Sequence, residues 1–211
     1  MKMKYLRFFV LLFLLFTFSF IQAQDTINNC PPEGKTKVKR LKTLNIKKNR
    51  YELPKSSDID ANITMEALME KGNDEERFDE NKAAMIEGYI FDVTNTGKET
   101  CNCNATEEKY QDVHIVIVEK KSNKSKKYHV VVEITPRLRA MIFEKLGVEN
   151  NKELRKKLIG MKVKVTGWLL FDEEHRLESF NIDPKDNKGR KNWRATCWEI
   201  HPITNIEVVE N

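Results

Sequence analysis

The stretch "DVHIVIVEKKSNKSKKYHVVVEIT", residues 112–135, decides the fold class. Two runs rich in β-branched residues flank a polar, lysine-rich segment, which is typical of two antiparallel strands joined by a hairpin loop. Apolar residues occupy every second position of both runs and the few polar residues lie on the opposite face, so each strand has one face suited to a core and one suited to other contacts. The stretch therefore predicts a β domain with a two-faced sheet.

Further elements lie on both sides of this hairpin. Residues 85–93, "MIEGYIFDV", predict a strand with a glycine at its centre. Residues 137–146 and 151–159 have apolar positions at helical spacing. Two more strands are predicted at residues 161–171 and 195–210. The predicted order is strand, strand, strand, helix, strand, strand.

This order, with a helix between the third and fourth strands, resembles the OB-fold, a five-stranded Greek-key barrel. The resemblance covers residues 83–211. Five short segments are also similar to those of a group of exported, uncharacterised bacterial OB-like proteins: "CNC", "DVHI", "EITPR", "TGWLLFD" and "WEIHPIT". The resemblance implies a mainly β fold, an OB-like barrel preceded by an irregular, partly helical N-terminal arm. It implies almost nothing about function.

The beginning of the chain has the order of a secretory signal peptide. Lys2, Lys4 and Arg7 precede the apolar run 8–20, and Ala23 offers a small residue for cleavage. We expect export to the periplasm or full secretion, with no membrane-spanning segment after cleavage. The signal carries three of the 37 Lys+Arg and none of the 32 Asp+Glu, so overall charge does not support nucleic-acid binding by the mature chain.

Composition predicts three regions after the signal peptide of residues 1–23. Residues 24–56 are predicted to be a basic linker, which we interpret as a solvated arm in preference to an anion-binding one. Residues 57–83 are predicted to contain a short helical segment. Residues 84–211 are predicted to form the OB-like domain.

Four cysteines are disulfide candidates, because an exported protein can keep oxidised cysteines. A bond between Cys101 and Cys103 would be strained, since residues two apart in an extended chain lie about 6.5–7 Å apart. Bridges from either residue to Cys30 or Cys197 are easier, and the sequence does not choose among them. The Cys-x-Cys pair could also complete a soft metal site, although we favour a structural disulfide.

The resemblance implies that the second, third and fifth strands are neighbours. Alternation then places five acid, base or metal-binding side chains on one outer face: Asp112, His114, Glu133, Glu199 and His201. These residues could form a cross-strand ladder of ion pairs, which we favour. They could instead bind a divalent metal, with His114, Glu133 and His201 as ligands. In a catalytic reading, Asp112 or Glu199 would be the base.

Aromatic residues give a second candidate site. Trp168, Trp198 and Tyr89 could line a groove in which a sugar or a base stacks, with Arg194 and other basic residues beside it. The alternative is that the tryptophans fill the barrel and the basic residues keep the loops soluble.

Recognised catalytic motifs are absent from the sequence: it has no HExxH, no phosphate-binding Walker loop, no GxSxG and no zinc-finger spacing. The favoured function is therefore an exported OB-fold binding or assembly module, not an enzyme, with a polar ligand face on strands two, three and five. Its partner would be a glycan, an oligonucleotide or a protein. The alternative is a phosphodiesterase-like, metal-dependent hydrolase that would use a divalent cation as cofactor.

Overall fold

A computed structural model describes residues 28–184 and 191–209 of the chain. The predicted signal peptide lies outside these residues. Within them, no helix is both long enough and apolar enough to cross a membrane. Two short helices precede the barrel, α1 (Lys39–Lys48) and α2 (Met65–Met69). Two more, α3 (Pro136–Leu146) and α4 (Asn151–Leu158), follow its third strand.

Five strands close into a barrel. They are β1 (Ala83–Asn95), β2 (Val113–Val118), β3 (Val130–Ile134), β4 (Lys162–Phe171) and β5 (Trp198–Val208). Their order around the barrel is β1-β2-β3-β5-β4. The pair β3–β5 is parallel and the other pairs are antiparallel. The predicted fold class, a five-stranded OB-like barrel with a helical segment between the third and fourth strands, is confirmed.

The interior is filled by the alternating apolar positions that the sequence indicates. Ile115, Val132, Val165 and Ile200, from four different strands, belong to one buried cluster. Gly88 in β1 lies very close to β2, since a Cβ atom at this position would lie only 2.8 Å from Ile117 Cγ1. The glycine therefore lets β1 and β2 approach closely where the barrel curves.

The N-terminal arm differs from the solvated linker that its composition predicts. Residues 35–50 contain α1, and Leu44, Asn45 and Lys48 of this helix are buried. Polar side chains connect this helix to neighbouring parts of the chain. Asn45 Nδ2 donates to Glu33 O at 2.9 Å, and Asn49 Nδ2 donates to Cys101 O at 2.9 Å. These contacts are polar and follow no hydrophobic period, so the basic composition gave no indication that the segment is packed.

The outer face of β2, β3 and β5 is covered by this arm and by the segments around residues 96–112, 172–184 and 191–197. On that face Val131 and His201 are fully buried, like the residues inside the barrel. Asp74 fastens the start of β5 from outside: its Oδ2 accepts from Thr196 Oγ1 at 2.8 Å and from Cys197 N at 2.7 Å. The barrel thus encloses polar groups between its sheet and a second layer of chain.

Candidate metal centre

Strand register brings the predicted polar residues together. His114 lies opposite Glu133 in the β2–β3 pair, and Val131 lies opposite Glu199 in the β3–β5 pair. Because side chains alternate along a strand, Glu133 and His201 then project on the same side as Glu199. The polar face expected from the sequence is formed, but it is enclosed by the covering segments and does not face solvent.

His201 is at the centre of the enclosed cluster. Its Nδ1 lies 3.3 Å from Glu199 Oε2 and 3.4 Å from Glu133 Oε2. Its Nε2 lies 3.8 Å from Asp112 Oδ2. One nitrogen of His201 and one oxygen each of Asp112 and Glu133 lie within 4.8 Å of one another, and all three residues are buried. This spacing would allow the three side chains to hold a metal ion.

Each of these three side chains has an atom without a hydrogen-bond partner in the described part of the chain. The atoms are Asp112 Oδ1, Glu133 Oε2 and His201 Nε2. A buried polar atom that makes no hydrogen bond costs about 1–3 kcal/mol, and more when it is charged. A cation that accepted these lone pairs would remove that cost.

His114 lies beside the cluster. Its Nδ1 is 3.9 Å from Glu133 Oε1, and its ring centroid is 5.3 Å from that of Trp193. Among the described residues, it belongs to neither group of side chains whose donor atoms lie close enough to share an ion. Burial lowers the pKa of His114 to about 4, so its ring is neutral at physiological pH. The role predicted for His114 as a metal ligand stays a prediction.

Burial also disturbs the carboxylates near His201. It raises the pKa of Asp112 to about 7, with a further contribution from the negative charge of Glu99. Burial and the charge of Glu199 raise the pKa of Glu133 well above its ordinary value. For both side chains, the positive charge nearby does not offset the cost of burying a negative charge. This is the condition in which a buried carboxylate gains most from a bound cation.

Arg194 neutralises the other side of the cluster. Its side chain is fully buried, and Nη1 lies 2.6 Å from Glu199 Oε1 and 3.1 Å from Asp172 Oδ2. Burial acts to raise the pKa of Glu199, but the charge of Arg194 together with the hydrogen bond and charge of His201 outweighs it, so that this pKa is lowered. We expected Arg194 to contact a ligand, whereas the structure places it inside the protein as a counter-charge.

Carboxyl groups outnumber permanently charged cations in the described part of the cluster. Five carboxylates face two permanently charged cations through ion pairs or close electrostatic contact. The carboxylates are those of Glu99, Asp112, Glu133, Asp172 and Glu199, and the cations are Lys48 and Arg194. This surplus favours binding of a cation and disfavours binding of an anion.

A second donor group lies between His201 and the surface. One atom each of Glu99, Cys101 and Asp112 lie within 4.8 Å of one another, so Asp112 belongs to both groups. Glu99 and Cys101 also line a cavity of about 270 Å³, together with Lys48 and His175. The sequence carried no signal for Glu99 or Lys48, because each lies in a segment without strand or helix periodicity.

The cysteines adopt one of the arrangements that the sequence left open. Cys30 and Cys103 form a disulfide, with Cα atoms 5.7 Å apart and a sequence separation of 73. Cys101 and Cys197 are free and buried. Burial raises the pKa of the Cys197 thiol to about 12.

The aromatic candidates lie in different surroundings. Trp168 Nε1 donates to Glu52 O at 2.7 Å, and Trp198 is buried with its ring centroid 5.3 Å from that of Phe78. Trp198 lines a cavity with Phe78, while Tyr89 lines another. The structure therefore does not bring Trp198 and Tyr89 to one shared cavity, and their predicted role in ligand binding stays a prediction.

Comparison of the chain with models of known protein families gave no match, and comparison with curated proteins gave none either. Function is therefore inferred from the geometry of the cluster.

The pair His175–Asp172 predicts a pH dependence of stability. His175 Nδ1 lies 2.5 Å from Asp172 Oδ2, and this hydrogen bond raises the pKa of His175. A raised histidine pKa stabilises the fold below the unfolded value, about 6.5, and the contribution is lost as pH rises through the folded value. We expect His175→Gln to be less stable than the wild type at about pH 6, by less than about 1 kcal/mol because the imidazole is 39% exposed.

This difference should shrink as pH rises toward about pH 9. Urea unfolding of both proteins at matched pH values measures it. The subtraction removes the contributions of the other histidines, which both proteins share. A difference that grows with pH would contradict the assignment of the raised pKa to His175.

Proposed function

We propose that this protein is an exported OB-like binding module whose polar face on β2, β3 and β5 binds a divalent cation through Asp112, Glu133 and His201. The observation that carries the proposal is the convergence of three buried side chains that each hold an unpartnered donor atom. In a ladder of ion pairs, the favoured alternative from the sequence, these atoms would also form hydrogen bonds, whereas Glu133 Oε2 and His201 Nε2 lie only within ion-pair distance of a neighbour.

The donor set fits a borderline transition metal. One imidazole nitrogen and two carboxylate oxygens suit zinc, manganese or iron. Ligands at about 2.0–2.2 Å from a tetrahedral ion lie about 3.3–3.6 Å from one another. His201 Nε2 lies 3.8 Å from Asp112 Oδ2, close to this value, whereas Glu133 Oε2 lies 3.4 Å from the other ring nitrogen, Nδ1. One atom of each of the three side chains lies within 4.8 Å of the others, so Glu133 reaches an ion at Nε2 by a rotation of its side chain. An ion at Nε2 would leave Nδ1 to donate to Glu199, and such a hydrogen bond holds a metal-bound imidazole in place.

Two further points support the wider proposal. The Cys30–Cys103 disulfide is compatible with an oxidising, extracytoplasmic compartment, either the periplasm or the medium. The closed barrel with a helical segment between β3 and β4 supports membership of the OB-fold superfamily. On this proposal the protein uses the OB ligand face for an ion, because the covering segments exclude a glycan or an oligonucleotide from it.

The alternative is a metal-dependent hydrolase, which needs an open coordination position that a substrate can reach. Asp112 and His201 are at most 1% exposed, and Glu133 is 6% exposed. A cation held by these residues would be shielded from a phosphodiester. The burial of the donors therefore favours binding over catalysis.

The test is the metal content of the full chain, produced with its own leader and purified without chelator or nickel affinity. Elemental analysis is made on the wild type, Asp112→Asn, His201→Gln and the control His129→Gln. His129 is also buried and also has an unpartnered Nε2 within the described residues, but it belongs to neither donor group. Zinc-dependent thermal stabilisation is measured on the same samples, because a ligand at 100 times its Kd stabilises a protein by about 2.7 kcal/mol.

We expect near-stoichiometric metal and zinc stabilisation in the wild type and in His129→Gln, and loss of both in Asp112→Asn and His201→Gln. A wild type that contains no metal and is not stabilised by zinc, manganese or iron(II) would overturn the proposal. Metal retained by a folded His201→Gln would overturn the assigned site. Turnover of a phosphodiester by the metal-loaded protein would replace the binding module with the hydrolase.

A further inference from the structure

Cys101 is in an unusual position for a cysteine of a protein that forms disulfides. It lies beside the Cys30–Cys103 bond, with its carbonyl oxygen 3.4 Å from Cys30 Sγ, yet it is itself unpaired. Cys101 is only 1% exposed. The thiol contacts carboxylates: Sγ lies 3.7 Å from Asp112 Oδ2 and 3.5 Å from Glu99 Oε2.

These contacts join Cys101 to the site around His201. Asp112 Oδ2, which contacts the thiol, also lies 3.8 Å from His201 Nε2. The other oxygen of the same carboxylate, Oδ1, has no hydrogen-bond partner in the described part of the chain. Asp112 therefore stands between a thiol and an imidazole and has a lone pair available on a fully buried atom.

We propose that Cys101 binds a thiophilic cation of the zinc class, in a donor group formed with Glu99 and Asp112 that shares Asp112 with the site around His201. This inference rests on the proposed function and specifies which cations the cluster selects. Thiolate ligands select soft and borderline ions, whereas calcium and magnesium prefer oxygen ligands alone.

The spacing of the donors supports this assignment. A thiolate at about 2.3 Å and an oxygen at about 2.0–2.2 Å from a tetrahedral zinc ion lie about 3.5–3.7 Å apart. The separations of Sγ from Glu99 and Asp112, 3.5 Å and 3.7 Å, agree with this value. No large movement of the three side chains is needed.

The position of the group also provides a route to the buried site. Glu99 and Cys101 line the cavity of about 270 Å³, and Asp112 lies behind them. A metal site needs an entry path. An ion that enters the cavity meets Glu99 and Cys101 first, and Asp112 then connects it to His201. Lys48 Nζ lies 3.4 Å from Glu99 Oε1, whereas Cys101 Sγ contacts Oε2, so Lys48 and the ion would use different oxygens of this carboxylate.

The test uses cobalt(II) as a spectroscopic substitute for zinc in the full chain. A thiolate ligand gives cobalt a charge-transfer absorption band in the near ultraviolet, and nitrogen and oxygen ligands do not. Titrations are made with the wild type, Cys101→Ala and the control Cys197→Ala. Cys197 is the other free buried cysteine and is outside both donor groups. Binding itself is followed separately, by the cobalt retained after gel filtration.

We expect the band in the wild type and in Cys197→Ala, and its loss in Cys101→Ala. We also expect zinc, but not an excess of calcium or magnesium, to abolish the band. Retained cobalt without a thiolate band in the wild type would overturn the inference and leave the proposed function standing. This outcome needs no variant, so it decides the question even if Cys101→Ala does not fold. A wild type that retains no cobalt and no zinc would instead overturn the proposed function.

Discussion

Replacing Arg194 by methionine is expected to lower the free energy of unfolding by about 3–5 kcal/mol, because removing one partner of a buried ion pair leaves an uncompensated charge. The guanidinium is fully buried and contacts both Glu199 and Asp172. Its Nε also donates to Thr196 O at 2.7 Å. Methionine keeps much of the side-chain volume, so the effect would come mainly from charge and hydrogen bonds. Urea unfolding monitored by tryptophan fluorescence and circular dichroism measures the loss.

The matched control is Arg176→Met. Arg176 also pairs with a carboxylate, that of Glu75, but its side chain is 48% exposed. An exposed pair contributes about 0–1 kcal/mol, so the control should remain close to the wild type. Similar small losses in both variants would show that Arg194 is not needed to neutralise the cluster.

Removing the Cys30–Cys103 disulfide should cost about 4 kcal/mol. The bond joins residues 73 apart, and closing a loop of that length restricts the unfolded chain strongly. It also anchors the start of the covering arm, whose Asn49 donates to Cys101 O. We therefore expect the Cys30→Ser/Cys103→Ser double variant to unfold at a much lower urea concentration than the wild type.

Cys197→Ala is the control for this double variant, because it changes a buried cysteine that forms no disulfide. Replacing both bonded residues prevents either one from pairing with Cys101. Peptide mapping by mass spectrometry of the wild type should find the bond between Cys30 and Cys103. A bond from Cys101 to either residue, or unchanged stability in the double variant, would contradict the expectation.

The barrel could be predicted because its signal is local. Val113, Ile115 and Ile117 are apolar at every second position, and this period assigns the core face of β2 before any neighbour is known. The strand ends were less certain: the first strand runs from Ala83 to Asn95, two residues beyond the predicted range at each end. Pairing with β2 and β4 decides where that strand stops, and a single-strand pattern contains no such information.

The polar side chains of the cluster could be named in advance, but their environment could not. The same alternation placed Glu133 and His201 on the outer face, where a sheet normally meets water. Their burial follows from segments outside the three strands, such as the loop that supplies Arg194 and the distant arm that supplies Lys48. Glu99 and Lys48 were missed for the same reason.

The sequence by itself determined the order of strands and helices along the chain, the two faces of each strand and the side chains that could carry chemistry. This was possible because the two-residue period of a β-strand is visible in neighbouring residues. Only the tertiary structure decided that the polar face is enclosed, that Arg194 is a counter-charge and that Cys101 lies next to Asp112. Those outcomes depend on hydrogen bonds and ion pairs made by loops and by the N-terminal arm. Such contacts leave no periodic pattern, and the loss of water around the carboxylates appears only once every covering segment is in place.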